Sequence, residues 1–175
     1  ICQGWKADDV KVFRSAYIKC ILATDLTLSL EYISKFEPLT MSRFRAGGKT
    51  STRKHSGNCD GGSMSESLQN QILLLQMVLK VADVSHPCKP WSIHRKWSDL
   101  VTEEFFRQGD KELAQGFPVS PLCDRRERNL PKSQCDFINF IVRPCVTIFS
   151  EYCQVSTWSE HMDMNFKAWK VLSDE

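Results

Sequence analysis

The chain has 175 residues, 42% of them hydrophobic and 25% charged, with a net charge of +2. That length can bury one core as a single domain, and the near-neutral balance gives no electrostatic basis for binding nucleic acid. No apolar run approaches a bilayer-spanning length and residues 1–20 carry no signal-peptide pattern, so a cytoplasmic protein with no membrane span is expected.

Asp8 and Asp9 are positioned to open a helix by accepting from its first free amides. Phe13, Ala16, Tyr17, Cys20, Ile21, Thr24 and Leu28 follow at three-four spacing. The pattern continues through Ile33 to about Phe36, where Pro38 is predicted to end it. Residues 41–63 then break the period with Gly47-Gly48, Gly57 and Gly61-Gly62. They set Arg43, Arg45, Lys49, Arg53 and Lys54 against Asp60 alone, which predicts a flexible basic insertion. Such a segment is either a solvated insertion, tolerated at low entropic cost, or a regulatory contact for an anionic partner.

From Ser65 to Ala82 the chain is predicted helical again. Leu68, Ile72, Leu75, Leu79 and Ala82 mark one face, while Leu73, Leu74, Met77 and Val78 widen it. An apolar belt that broad predicts burial on most sides. Pro87 and Pro90 enforce an irregular stretch. A further helix carries Ile93, Trp97, Leu100, Val101 and Phe105 and is predicted to end near Gly109, with a short one from Asp110 to Gln115 stopped by Gly116. Residues 117–130 read as a loop. Pro131 suits the first turn of the next helix, whose stripe is Gln134, Phe137, Ile138, Ile141, Cys145, Ile148, Phe149 and Tyr152, with a kink expected at Pro144. Trp158, Met162, Phe166 and Trp169 define a last amphipathic stretch. No segment alternates with period two and no internal repeat occurs. The expectation is an all-α protein, a compact multi-helix bundle.

Eight cysteines, at 2, 20, 59, 88, 123, 135, 145 and 153, form no Cys-x-x-Cys pair. Cys20, Cys135 and Cys145 fall within apolar helical patterns, as buried free thiols do. A reduced intracellular protein is expected.

Some residues are candidates for chemistry. Gln134 and Phe137 lie one turn apart on one helix face. A carboxamide and a ring so placed can pair with the edge of a planar heterocycle and stack on its face, or they can simply mark a helix surface meeting a core. Asp83 ends a helix that is otherwise almost wholly apolar. A carboxylate held against a core must be paired, here by Lys80, Lys89 or a backbone amide, or must ligate a cation. His86 and His94 can be structural hydrogen-bonders or ligand contacts. Thr24 can serve a site or bond back to its own helix.

Read in order, Ala82-Asp83-Val84-Ser85-His86-Pro87, Trp91, Trp97, Glu103-Glu104-Phe105-Phe106, Gln108-Gly109-Asp110, Ser120-Pro121-Leu122-Cys123-Asp124 and Gln134-Cys135-Asp136-Phe137 form a long signature. It resembles the C-terminal half of the class I cyclic nucleotide phosphodiesterase catalytic domain, over about residues 8–38 and 66–152. The resemblance implies hydrolysis of the 3′ phosphoester of cAMP or cGMP to a 5′-monophosphate, with two divalent ions, zinc and magnesium. It implies that Asp83 is one of four ligands to the tighter metal, that Gln134 selects the purine, and that Phe137 and Val101 clamp the ring. Trp97, Ser98 and Leu122 match further pocket-lining positions. Thr24 and Asp25 match a signature near the metal-bound waters, although Ser29 stands where the family often has histidine. Ser85-His86-Pro87 with His94-x-x-Trp97 most resembles the calmodulin-stimulated, dual-specificity members.

The family's His-Asn-x-x-His and His-Asp-x-x-His-Pro signatures are absent, and His55, His86, His94 and His161 match neither. Three ligands of the first metal and the histidine that acts as general acid are therefore missing. Together with a start at Ile1, this predicts a fragment, inactive alone, with regulatory domains outside the chain. The alternative is a non-catalytic helical module that binds a nucleotide or a protein partner.

Overall fold

The computed structural model describes residues 2–45, 65–127 and 129–174. Seven α-helices and no strand occur among them: α1 Ala7–Leu22, α2 Ser29–Arg45, α3 Glu66–Asp83, α4 Trp91–Ala114, α5 Leu130–Phe137, α6 Arg143–Cys153 and α7 Thr157–Asp174. Short 3-10 turns at Leu26–Leu28, His86–Cys88 and Arg125–Glu127 and a π-helical stretch at Ile138–Val142 join them. The expected all-α bundle is what forms. Its core gathers Phe36 from α2, Met77 and Val81 from α3, Ile138, Val142, Val146 and Phe149 from the α5–α6 rod, and Met162 and Trp169 from α7.

Local chemistry sets two helix starts where the sequence places them. Ser65 accepts from Leu68 N at the start of α3, and Asn129 accepts from Lys132 N at the start of α5, where Pro131 occupies the first turn. The start of α1 differs: Lys6 is the N-cap, and Asp8 and Asp9 sit inside the first turn, where the helix dipole favours them.

Four further expectations need correction. The first predicted helix is two, broken between Leu22 and Ser29. The buried ammonium of Lys80 bonds the carbonyls of Ala23 (3.0 Å) and Asp25 (2.8 Å), taking up acceptors at the break. Asp25 then caps the Leu26–Leu28 turn by accepting from Thr27 N. Pro38 does not end α2, which runs through it to Arg45. Pro38 and Ser34, whose carbonyl loses its helical donor, are both exposed, so water can replace the missing bond. Residues 41–45 are therefore helical, and the remainder of the predicted insertion, 46–63, lies outside the described residues.

Gly109 does not end a helix either. It lies inside the unbroken α4 because the Cys123 carbonyl passes so close that a Cβ would stand 2.1 Å from its oxygen. The stop comes at Gly116, whose φ of +74° favours glycine. Finally, α3 is not buried on most sides. Leu75 (53%) and Val78 (44%) are exposed, whereas Gln76 and Lys80 are buried. Those two polar side chains face the end of α1: Gln76 donates to Lys19 O and Tyr32 Oη, and Lys80 to the two carbonyls named above.

The kink expected at Pro144 takes the form of the π-helical stretch immediately before α6. Proline offers no N–H to the preceding turn, and widening the winding there accommodates the loss.

Candidate functional site

The site is assembled where α4, α5, α7 and the His86–Cys88 turn meet. His94, Ser98 and Val101 follow at helical spacing along α4, with His94 and Ser98 fully buried and Val101 half-buried. On α5, Gln134 is buried and Phe137, one turn on, is half-buried. Ser98 Oγ lies 3.0 Å from Gln134 Oε1 and 3.0 Å from the carbonyl of His94. A hydroxyl has one proton and two lone pairs. When it donates to His94 O it can only accept from Gln134, and the amide nitrogen must then face it. When it donates to Gln134, the amide oxygen faces it. Ser98 thus accommodates either orientation of the carboxamide.

The His86 ring stacks on Phe137, with centroids 5.5 Å apart and planes at 14°, and on His94 at 4.9 Å and 26°. His86 Nδ1 and His94 Nδ1 are 2.9 Å apart, and the Trp169 indole donates to His94 Nε2 at 2.6 Å. Burial pushes His86 down to about 4, and burial, the neighbouring His86 and Arg95 push His94 down to about 3. Both rings are therefore neutral at pH 7. Helix α7 also holds the turn that carries His86, because Asn165 Nδ2 donates to Pro87 O (2.7 Å) and Lys89 O (2.8 Å).

Of the sequence-predicted residues, the structure brings Gln134, Phe137, His86, His94 and Ser98 into one linked set. Trp97 and Leu122 are largely exposed, at 56% and 66%. The Leu122 loop is strapped to α4: Arg125 pairs with Glu103 (2.8 Å) and Asp110 (2.9 Å), and Glu112 accepts from Ser120 N and Oγ. The two arginines beside Glu103 lower its carboxyl to about 2. Trp169 and Asn165 were not foreseen as part of the site. The sequence marks Trp169 only as one position of an amphipathic stretch, and nothing local to it signals a partner 75 residues away.

Asp83 is the last residue of α3 and is exposed, not held against the core. The apolar belt that suggested otherwise lies partly on the solvent side of the helix. Thr24 Oγ1 donates to Ile21 O at 2.9 Å, bonding back to its own helix, and Asp25 is occupied by Thr27. No group of three or more His, Cys, Asp or Glu side chains that could hold a metal ion occurs among the described residues. The donors present do not by themselves fit a zinc centre, which needs at least three protein ligands. A separate apolar cavity of about 240 Å³, lined by Val78, Ala82, Val146, Phe149 and Trp158 among others, shares no residue with the Gln134 set.

No helix among the described residues is long and apolar enough to cross a membrane. Residues 1–163 match the family model described as 3′5′-cyclic nucleotide phosphodiesterase. Human "High affinity cAMP-specific and IBMX-insensitive 3′,5′-cyclic phosphodiesterase 8A" is 31% identical over 99% of this chain and 21% of its own length. Mouse "Dual specificity calcium/calmodulin-dependent 3′,5′-cyclic nucleotide phosphodiesterase 1C" is 34% identical over 82% of this chain and 17% of its own. The crystal structure of the phosphodiesterase domain of Salpingoeca rosetta rhodopsin phosphodiesterase superposes with a TM-score of 0.77 at 26% identity, over 99% of this chain and 49% of that one. The chain thus spans about a fifth of the length of these curated relatives and about half of the solved domain. Fold, ordered signature and family model agree: the chain belongs to the 3′,5′-cyclic nucleotide phosphodiesterase family.

Proposed function

We propose that this chain supplies the base-binding half of a cytoplasmic enzyme that hydrolyses the 3′ phosphoester of cyclic nucleotides. The observation that carries this reading is the Gln134 carboxamide, hydrogen-bonded to Ser98 on α4, one turn from a Phe137 ring stacked on His86. A purine between such groups is recognised twice, by its edge through the amide and by its face through the ring. Stacking on an aromatic side chain contributes roughly 1–3 kcal/mol per base in nucleic-acid complexes. Val101, Trp97 and Leu122 form the rest of the base enclosure in this reading.

Because Ser98 can accept from or donate to the amide, Gln134 can present either its oxygen or its nitrogen to the ligand. That favours acceptance of both cAMP and cGMP, in keeping with the dual-specificity resemblance of the His86 and His94 segment. Asp83 serves in this reading as one ligand of a zinc and magnesium centre whose other ligands and general acid come from outside the chain, with Thr24 and Asp25 beside it. The chain alone is then inactive.

The test is hydrolysis of both nucleotides by this chain joined to an upstream half that bears the two His-rich signatures, with and without divalent metal. Asp83→Ala is expected to abolish turnover, and Gln134→Ala to raise KM more than it lowers kcat. Undiminished turnover in the first variant would refute the metal role. A defect mainly in kcat in the second would count against base recognition.

A further inference from the structure

We propose that Trp169 is a positioning residue for nucleotide recognition: from α7 it fixes the ring tautomers of His94 and then His86, leaving His86 with its one N–H on Nε2 beside Phe137. The inference rests on the reading of Gln134 and Phe137 as a base-binding pair.

The chain of constraints runs through single protons. An indole nitrogen can only donate, so His94 Nε2, 2.6 Å from Trp169 Nε1, must carry a lone pair. A His94 with its lone pair there carries its proton on Nδ1. That atom faces His86 Nδ1 at 2.9 Å, a distance that needs one proton between the two nitrogens and excludes two. His94 supplies it, so His86 Nδ1 accepts and the His86 proton sits on Nε2. Protonating either ring fully would set two N–H groups head to head, and burial of both rings opposes the charge as well.

The free end of the relay is open. Among the described residues no group accepts from His86 Nε2, and the ring is half-buried and stacked on Phe137. A fixed donor in that position suits an acceptor on the edge of a heterocycle, a ring nitrogen or a carbonyl oxygen. The second hold of α7, Asn165 on the carbonyls of Pro87 and Lys89, keeps the turn from moving away from that geometry. Trp169 therefore acts on the ligand only through the two histidines.

Two-bond ¹H–¹⁵N correlation on the ¹⁵N-labelled 175-residue chain reads each ring nitrogen directly. Wild type at pH 7 is expected to show neutral His94 protonated on Nδ1 and neutral His86 protonated on Nε2. Trp169→Phe, which keeps a ring in the core but removes the donor, is expected to release both tautomers and to weaken binding of 5′-AMP and 5′-GMP by about tenfold, the loss of one hydrogen bond. A His86 protonated on Nδ1 in wild type overturns the proposal, and this measurement decides it even where the variant does not fold. Tautomers unmoved in Trp169→Phe also overturn it. Nucleotide affinity unmoved in Trp169→Phe but reduced in Gln134→Ala overturns the positioning role alone. Affinity unmoved in both variants overturns the base-binding reading beneath it.

Discussion

Helices α1 and α7 are both amphipathic in sequence, yet they end in opposite situations. In α7, Met162 and Trp169 are fully enclosed, with α4, α5, α6 and the His86–Cys88 turn packed against the helix. In α1 no residue is buried, and Phe13 (43%), Tyr17 (59%), Ile21 (49%) and Leu22 (60%) are open. What holds α1 to α3 includes polar bonds from Gln76 and Lys80 to its C-terminal carbonyls and the adjoining turn. An apolar stripe says that a helix will form and seek cover; it does not say that the cover lies in the same chain.

The largest way to break the comparison is Trp169→Ala. It removes a fully enclosed ring and the donor to His94, and is expected to cost about 3–5 kcal/mol, enough to unfold the C-terminal half in a denaturant titration followed by circular dichroism. Acid should act on the same end. His86 and His94 titrate at about 4 and 3 when folded, below the ordinary histidine value of 6.5, so the unfolded chain binds protons first. Stability should be unaffected by these groups above pH 6.5 and fall as the pH drops from 6.5 toward 4, by on the order of 3 kcal/mol for each ring. The histidine-free double variant His86→Asn, His94→Gln should flatten that part of the curve.

At the other end, Lys80→Ala leaves the carbonyls of Ala23 and Asp25 without their donor and is expected to cost about 2 kcal/mol. Hydrogen exchange should show the loss concentrated in α1 and the Leu26–Leu28 turn, with α5 to α7 still protected. Protection lost equally across the chain would mean that the two ends fold as one unit. The smallest effect is expected for Ile21→Lys on the open face of α1, within about 0.5 kcal/mol in stability. Sedimentation should nevertheless show less self-association, because the substitution breaks an exposed apolar stripe.

The helix inventory was legible where its causes are local. Ser65 and Pro131 announced the starts of α3 and α5 because capping involves only the next few residues. The break after Leu22 was hidden because Lys80, 57 residues from Ala23, helps hold it. Gly109 misled for the same reason, since the carbonyl that demands glycine belongs to Cys123. The site divides similarly. Gln134, Phe137, His86 and His94 stood out by residue type and by the family signature. Trp169 and Asn165 carry no such mark, and only folding shows that α7 grips the turn the ligand side depends on.

The π-helical stretch from Ile138 to Val142 separates the Gln134 and Phe137 end of the rod from Val146 and Phe149. Such a stretch commonly amounts to one extra residue inserted into an α-helix. The widened turn absorbs that residue, so regular α winding over the same number of residues would put the two ends about 100° out of phase. Either Val146 and Phe149 would rotate out of the interior, or Gln134 would turn away from Ser98. The wide winding at Ile138–Val142 therefore sets the rotational register between the end of the rod that carries Gln134 and the end that fills the core.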